Sequence, residues 1–367
     1  MQTDPLAFFA ICLPGFEAEL ARELTALGLR VTSVTPGGVE LSGQWPDIWA
    51  ANLGSRMATR ILVRIATFMA FHPAQLDKRA RKMDWAAWLP PGAQVKVEVS
   101  TNRKSKIYHA GAAQTRIEGA LDAAGYQTQG DDAVALKVRI DDNRVTLSLD
   151  TSGAPLHKRG HKQAVGKAPL RETMAAAFLA QCGFDGTQPV YDPMCGSGTF
   201  PIEAAEMAAK LQPGRARKFA FQDFPGFDPE VFASLRYTPA TFGPARFSGS
   251  DRDTGVIDMA TENAKRAGVE TLCAFHSMDL RDARPPQGPP GLVMLNPPYG
   301  ARIGTKRALY SVYAGIGAVL RSKFAGWRVG LVTSEKSLAQ ATDLPWAPTA
   351  KPVSHGGLRV TLYQAQL

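Results

Sequence analysis

Apolar and polar positions along the first 67 residues fall into short runs of two different periods. The run LAFFAICL (6–13) predicts a strand, and Phe16, Leu20, Leu24 and Leu27 recur at helical spacing before Gly28 closes the run. Residues 30–43 predict a hairpin turning at Pro36, Gly37 and Gly38. Residues 45–55 predict a helix with Asp47 in its first turn, and 59–70 a strand. A β-α-β-β-α-β order is the ferredoxin-like pattern.

A second α+β set follows over 68–152. Residues 72–90 predict a basic helix, 93–105 a strand running into a basic loop, and 107–125 a helix. Residues 134–153 predict two strands joined at Asp141, Asp142 and Asn143. In the first of these strands Val134, Leu136, Val138 and Ile140 share one face, while Lys137 and Arg139 share the other. From about Pro169 the pattern changes to strands alternating with helices. Strands are predicted at 189–192, 246–251, 273–279, 291–296 and 327–335, and helices at 170–183, 198–211 and 254–269. Residues 353–367 predict a closing hairpin arm. Alternation of this kind implies a doubly wound sheet. The expected division is a ferredoxin-like domain over 1–67, a second domain over 68–152, a linker over 153–168 and a wound α/β domain over 169–367.

Composition sharpens this picture in two places. Four scattered cysteines with no C-x-x-C spacing argue against a disulfide framework or zinc site and fit a reducing cytoplasm. No metal is expected. The N-terminus has no basic region ahead of its apolar stretch, so it does not read as a signal peptide, and no apolar run approaches the roughly 18 residues that span a bilayer. The expectation is a soluble cytoplasmic protein. The net charge of +9 is concentrated: residues 60–167 hold 18 Lys and Arg against 10 Asp and Glu. A basic segment of this kind suits a polyanion, because neutralised phosphates release condensed counterions.

Four stretches carry candidate chemistry. In VYDPMCGSGTF (190–200), Asp192 ends a strand, Pro193 to Gly198 form a turn, and a helix opens near Thr199. Gly196 and Gly198 let the backbone approach a ligand, and N–H groups at a helix start attract a polar or anionic one. The spacing of Cys195, Gly196, Ser197 and Gly198 is neither a Walker A loop nor the dinucleotide fingerprint. In SGSDRD, Asp251 ends the next strand, with Arg252 after it; a carboxylate there can accept from both ribose hydroxyls of a nucleoside. The plainer reading is a helix cap supplied by Asp251 or Asp253. Asp279 ends a further strand, where it could take an adenine amino group. In LNPPYG, Asn296 falls at the end of the fourth wound strand, in the crevice that also holds the glycine turn. Pro297 and Pro298 stiffen the turn. They set the Asn296 side chain and the Pro297 carbonyl as two acceptors for an exocyclic amine, over which Tyr299 can stack.

Together, DPMCGSGTFPIEAA, GSDRD and NPPYGARIG resemble the class I S-adenosylmethionine-dependent methyltransferases that modify exocyclic amines. The stretches ATFMAFHPAQLDKRARKMDWAAWLP, STNRKSKIYHAGA and DTSGAPLHKRGHK resemble the THUMP-containing RNA methyltransferases, closest to members that form N2-methylguanosine in 23S ribosomal RNA. The resemblance implies a Rossmann-like, seven-stranded, mostly parallel sheet ending in an antiparallel hairpin, preceded by ferredoxin-like and THUMP domains. It implies S-adenosylmethionine as cofactor, with Asp192 and the backbone from Cys195 to Thr199 around its methionine end. Asp251 would hold the ribose and Asp279 the adenine side. Asn296, Pro297 and Tyr299 would hold a guanine, and the 68–152 region would grip RNA. A second methylation activity is not implied. Transfer RNA as substrate, a DNA adenine-N6 methyltransferase and a non-catalytic RNA-binding or ribosome-assembly factor stay open as alternatives.

Arg103, Lys104 and Lys106, and Lys158, Arg159 and Lys162 in HKRGHK, fit phosphate contacts. His157 and His161 lack a third ligand partner and read as parts of an RNA-facing linker. Cys195 has no adjacent base, and Trp85 and Trp88 read as core.

Overall fold

The computed structural model describes residues 4–128, 130, 133–162, 170–237, 246–300 and 306–367. The N-terminal half runs β1 (Leu6–Ile11), α1 (Glu17–Ala26), β2 (Val31–Thr35), β3 (Gly38–Gly43), α2 (Trp45–Gly54), β4 (Arg60–Met69), α3 (Pro73–Ala80), β5 (Val95–Thr101), α4 (Ala110–Ala123), β6 (Val134–Asp141) and β7 (Arg144–Asp150). The C-terminal half runs α5 (Glu172–Gln181), β8 (Val190–Asp192), α6 (Thr199–Ala208), α7 (Pro229–Ser234), β9 (Phe247–Asp251) and α8 (Thr254–Ala267). It continues with β10 (Cys273–Ser277), β11 (Leu292–Leu295), α9 (Lys306–Lys323), β12 (Arg328–Thr333), α10 (Lys336–Ala341), β13 (Val353–His355) and β14 (Leu358–Gln366).

Two seven-stranded sheets carry the fold. The first has the order β2-β3-β1-β4-β7-β6-β5. Its first four strands have the ferredoxin-like pairing, with β1 antiparallel to both β3 and β4. The strand β4 crosses the expected 67/68 division and pairs with β7 on its other edge, so both N-terminal segments share one sheet. The β6–β7 hairpin turns on Asp142 and Asn143, both in the left-handed region, as a two-residue primed turn requires. The helix expected over 72–90 is shorter than its pattern. After α3 the chain tightens to a 3-10 turn at Trp85–Ala87, and the Trp85 indole N–H donates to the Ala80 carbonyl at 3.1 Å.

The second sheet has the order β10-β9-β8-β11-β12-β14-β13, and every strand runs parallel except β14, which pairs antiparallel with both β12 and β13. This is the class I methyltransferase arrangement. Alternation along β11 shows why the sheet is covered on both faces. Leu292 and Met294 join the core shared with the N-terminal half, whereas Val293 and Leu295 join a second core built with α9 and α10. The helices α9, α7 and α10 were not anticipated from the sequence. The first core runs unbroken between the two halves, with Phe16 of one half edge-on to Phe178 of the other at 5.2 Å. No helix among the described residues is long and apolar enough to cross a membrane.

Candidate active site

Strands β8, β9, β10 and β11 all deliver their carboxyl ends to one crevice. After β8 the chain makes the glycine turn. The Cys195 N–H donates to the Ser250 carbonyl at 3.0 Å, and the Gly196 N–H donates to Asp251 Oδ2 at 3.2 Å. Both bonds tie the turn to the end of β9. Gly198, just before α6, has φ +82°, and a Cβ there would sit 3.0 Å from Ala260 and Phe275. Gly249 in β9 faces the turn so closely that a Cβ would lie 2.7 Å from Cys195 Cβ. Glycine is therefore needed at Gly249, where β9 meets Cys195 of the turn, and at Gly198, where Ala260 of α8 and Phe275 of β10 close in.

Asp253, not Asp251, caps α8, accepting from the Gly255 N–H at 2.9 Å. That leaves Asp251 at the crevice, where its other oxygen accepts from the Asp253 N–H at 3.2 Å. Asp279 caps a single 3-10 turn, and Arg281 beside it holds its carboxyl down at about 2. At the end of β11, Asn296 Oδ1 is buried and has no hydrogen-bond partner among the described residues. The two prolines after it are braced from behind by Tyr313 of α9. Its hydroxyl lies 3.3 Å from the Pro298 carbonyl oxygen and 3.1 Å from Thr333 Oγ1.

These ends enclose a cavity of about 720 Å³. Pro193, Gly196, Asp251, Arg252 and Asp279 line one part of it, and Asn296, Pro297, Pro298 and Tyr299 another. The glycine turn and the Asn-Pro-Pro-Tyr turn thus share one pocket on one side of the sheet. Asp192, Cys195, Ser197, Gly198 and Thr199 stand behind this wall. Asp192 is buried, and its Oδ1 accepts from the Met194 N–H at 2.9 Å. Burial raises its carboxyl to about 8, with the nearby Asp251 charge adding to the effect and the Met194 N–H opposing it. Burial likewise pushes the Cys195 thiol well up, so it holds no thiolate for nucleophilic chemistry.

Part of the cavity wall escaped the sequence reading. Leu309, Val312 and Gly315 of α9 line it, as do His355 and Leu358 of the closing hairpin. The α9 signal was present in the apolar recurrence of Leu309, Val312, Tyr313, Ile316 and Leu320. His355 and Leu358 face each other across a turn of two left-handed glycines, Gly356 and Gly357. HGGL is a short-range hairpin signature.

The basic candidates divide. Arg103, Lys104, Lys106 and Lys158 are exposed. Arg159 and Lys162 are not surface cations, and the expectation of phosphate contacts fails for both. Arg159 is 1% exposed and donates to the Leu156 and Arg56 carbonyls at 2.9 and 2.7 Å. Lys162 is paired with Glu172 at 3.1 Å. His161 is also buried, 3.8 Å from Glu206, and burial lowers His157 to about 4. The HKRGHK stretch therefore faces largely inward. Its charge is matched by carboxylates of the C-terminal half, which a composition count along the chain does not show. No cluster among the described residues could hold a metal ion.

Comparison with known proteins agrees with this geometry. Residues 159–364 match the family described as "RMKL-like, methyltransferase domain", and residues 7–62 match "RlmL ferredoxin-like domain". A Synechocystis protein, provisionally designated an RNA methyltransferase, is 33% identical over 98% of this chain and 96% of its own length. The ribosomal RNA large subunit methyltransferase K/L of Vibrio campbellii is 33% identical over 90% of this chain and 49% of its own length. The chain thus spans about half the length of the K/L relatives it matches. Among solved structures, a methyltransferase complexed with S-adenosylhomocysteine is 27% identical, with TM-score 0.85 over 100% of this chain and 99% of that one. A Listeria monocytogenes protein designated an N6-adenine-specific DNA methylase is 30% identical, with TM-score 0.89 over 98% and 96%. The chain belongs to the RMKL-like family of S-adenosylmethionine-dependent methyltransferases.

Proposed function

We propose that the chain methylates the exocyclic N2 amine of a guanosine in structured RNA, with 23S ribosomal RNA as the substrate. The observation that carries this reading is Asn296 on the wall of the cavity that also holds the glycine turn, its buried Oδ1 without a hydrogen-bond partner among the described residues. A buried acceptor left without a donor costs about 1–3 kcal/mol, a cost that an amine donor in the pocket would remove.

Bound S-adenosylmethionine supplies an electrophilic methyl group. Asp251 and Asp279 suit its ribose and adenine, and Asp192 its cationic methionine end. Asn296 Oδ1 and the Pro297 carbonyl take the two amine hydrogens, which aims the nitrogen lone pair into the pocket. Tyr299 stacks on the base and the cavity wall excludes water, so orientation and desolvation supply most of the rate. Transfer would form a C–N bond as the cofactor's C–S bond breaks, and the methylated nitrogen would give up its extra proton to bulk solvent as the product leaves the pocket. A base must leave its stack to enter. The 68–152 segment, read as a THUMP domain, grips RNA through Arg103, Lys104, Lys106 and Lys158.

RNA as substrate draws support from the names of the Vibrio and Synechocystis relatives. The Listeria designation favours a second reading, adenine N6 in DNA, because Asn-Pro-Pro-Tyr serves that amine equally well. Methyl transfer from tritiated cofactor to 23S rRNA, tRNA and duplex DNA, followed by mass spectrometry of nucleosides, decides between them. N2-methylguanosine in rRNA is expected, and N6-methyladenosine would overturn the guanine reading. Asn296→Ala is expected to lower turnover at least about 100-fold while S-adenosylhomocysteine still binds. Unchanged turnover would remove Asn296 from the acceptor role.

A further inference from the structure

The stretch joining the two halves turns its charges toward the back of the glycine turn. Lys162 Nζ lies 2.9 Å from Thr199 Oγ1, 2.9 Å from the Leu170 carbonyl oxygen and 3.1 Å from Glu172 Oε1. Two of the Lys162 ammonium's hydrogens find acceptors in Thr199 and Leu170, and the Glu172 carboxylate pairs with its charge. Its side chain is 10% exposed. Thr199 is the first residue of α6, where a cation opposes the helix dipole. Glu172 offsets that charge, so the pair is built as a unit.

A second route reaches the same turn from the preceding residue. The His161 carbonyl accepts from Arg266 Nε at 2.9 Å, and Arg266 Nη2 donates to Asn263 Oδ1 at 2.6 Å. Asn263 Nδ2 then donates to the Ser197 carbonyl at 3.1 Å. Two tethers from consecutive residues thus converge on Ser197 and Thr199, which flank the left-handed Gly198. None of Lys162, Thr199, Asn263 or Arg266 lines the cavity.

We propose that Lys162 is a positioning residue for the cofactor turn. Its ammonium holds Thr199 from behind, so that Gly198 keeps its conformation and the Gly196 N–H keeps its place against Asp251 at the cavity wall. The proposal rests on the methyltransferase reading, and it gives the inward-facing lysine a role through the turn rather than on RNA.

The test is calorimetric titration of S-adenosylhomocysteine into the full chain. Lys162→Met is expected to weaken binding roughly tenfold, the loss of a charge-assisted hydrogen bond, and Lys162→Arg to restore most of it. Thr199→Val, which keeps the shape and removes the acceptor, should show the same loss. The double variant should be no weaker than either single one, because both remove one interaction. Affinity for a 23S rRNA transcript should stay at the wild-type value, a readout that general loss of structure would not spare. Wild-type affinity for S-adenosylhomocysteine in both single variants overturns the proposal. Should Lys162→Met fail to fold, the near-isosteric Thr199→Val decides alone. A wild-type chain that binds no S-adenosylhomocysteine would instead sink the methyltransferase reading beneath it.

Discussion

Asp192 shows how one residue sets stability and function against each other. Its carboxyl is raised to about 8, chiefly by burial, and no cation pairs with it among the described residues. A raised carboxyl keeps its proton in the folded chain. Its contribution to stability is fully present below its ordinary value near 3.8 and is lost as pH rises through about 8. Asp192→Asn keeps the neutral form at every pH. That variant is expected to lose the decline in melting temperature between pH 5 and 8 and to match or exceed the wild type at pH 8. On the proposed reading, by contrast, a cationic cofactor end needs the charge. The same variant should bind S-adenosylhomocysteine about tenfold more weakly. Equal pH profiles for the two proteins would show that Asp192 is ionised in the folded chain. At this scale the strand-end positions of Asp192, Asp251 and Asn296 were legible, because strand ends in a wound sheet meet at one edge. It was not legible which of Asp251 and Asp253 caps α8. That choice depends on one hydrogen bond to the Gly255 N–H.

Among the elements, the β5–α4 connection combines a fixed backbone with free charges. The Asn143 side chain accepts from the Lys106 N–H at 2.7 Å, and Asn102 Oδ1 accepts from the Lys104 N–H at 3.1 Å. Both tie the loop to its neighbours, while the side chains of Arg103, Lys104 and Lys106 stay exposed. Cations held ready in this way suit phosphates. Reversing Arg103 and Lys104 to Glu is expected to weaken binding to a 23S rRNA transcript and to flatten the plot of log affinity against log salt by about 1 to 2. A slope that does not move would mean these side chains touch no phosphate. Legibility at this scale followed the strength of the period. The alternating strands β6 and β7 and the amphipathic α1 and α8 appear where their patterns place them. The helix α9 went unread although its apolar residues recur at helical spacing. The 72–90 helix was read too long, since its spacing could not show that the Trp85 side chain would take the Ala80 carbonyl and tighten the chain.

The whole molecule is joined by buried charge as well as by its shared apolar core. Arg56, between α2 and β4, reaches into the C-terminal half and donates to Glu203 at 2.9 Å and to the Glu206 carbonyl at 3.0 Å. Glu206 also faces Arg215 and His161. Burial raises the carboxyl of Glu206, but His161, Arg56 and Arg215 together hold it below its ordinary value. Removing one partner from such a network leaves an uncompensated buried charge, which costs about 3–5 kcal/mol. Arg56→Met is therefore expected to destabilise the chain by about that amount, read from the denaturant midpoint. Removing one carboxylate together with the guanidinium, in Arg56→Met/Glu203→Gln, should recover part of the loss, because Glu206 keeps Arg215 and Arg159 keeps the Leu156 and Arg56 carbonyls. The location of the network adds a second expectation. Both carboxylates sit on α6, which begins at the cofactor turn, so weakening the joint at Arg56 should loosen the turn as well as the junction. Binding of S-adenosylhomocysteine should then raise the midpoint of Arg56→Met as it does that of the wild type, but at higher ligand concentration. A loss below 1 kcal/mol in Arg56→Met would show that the network contributes little. Recovery absent in the double variant would place the cost in packing around the guanidinium instead.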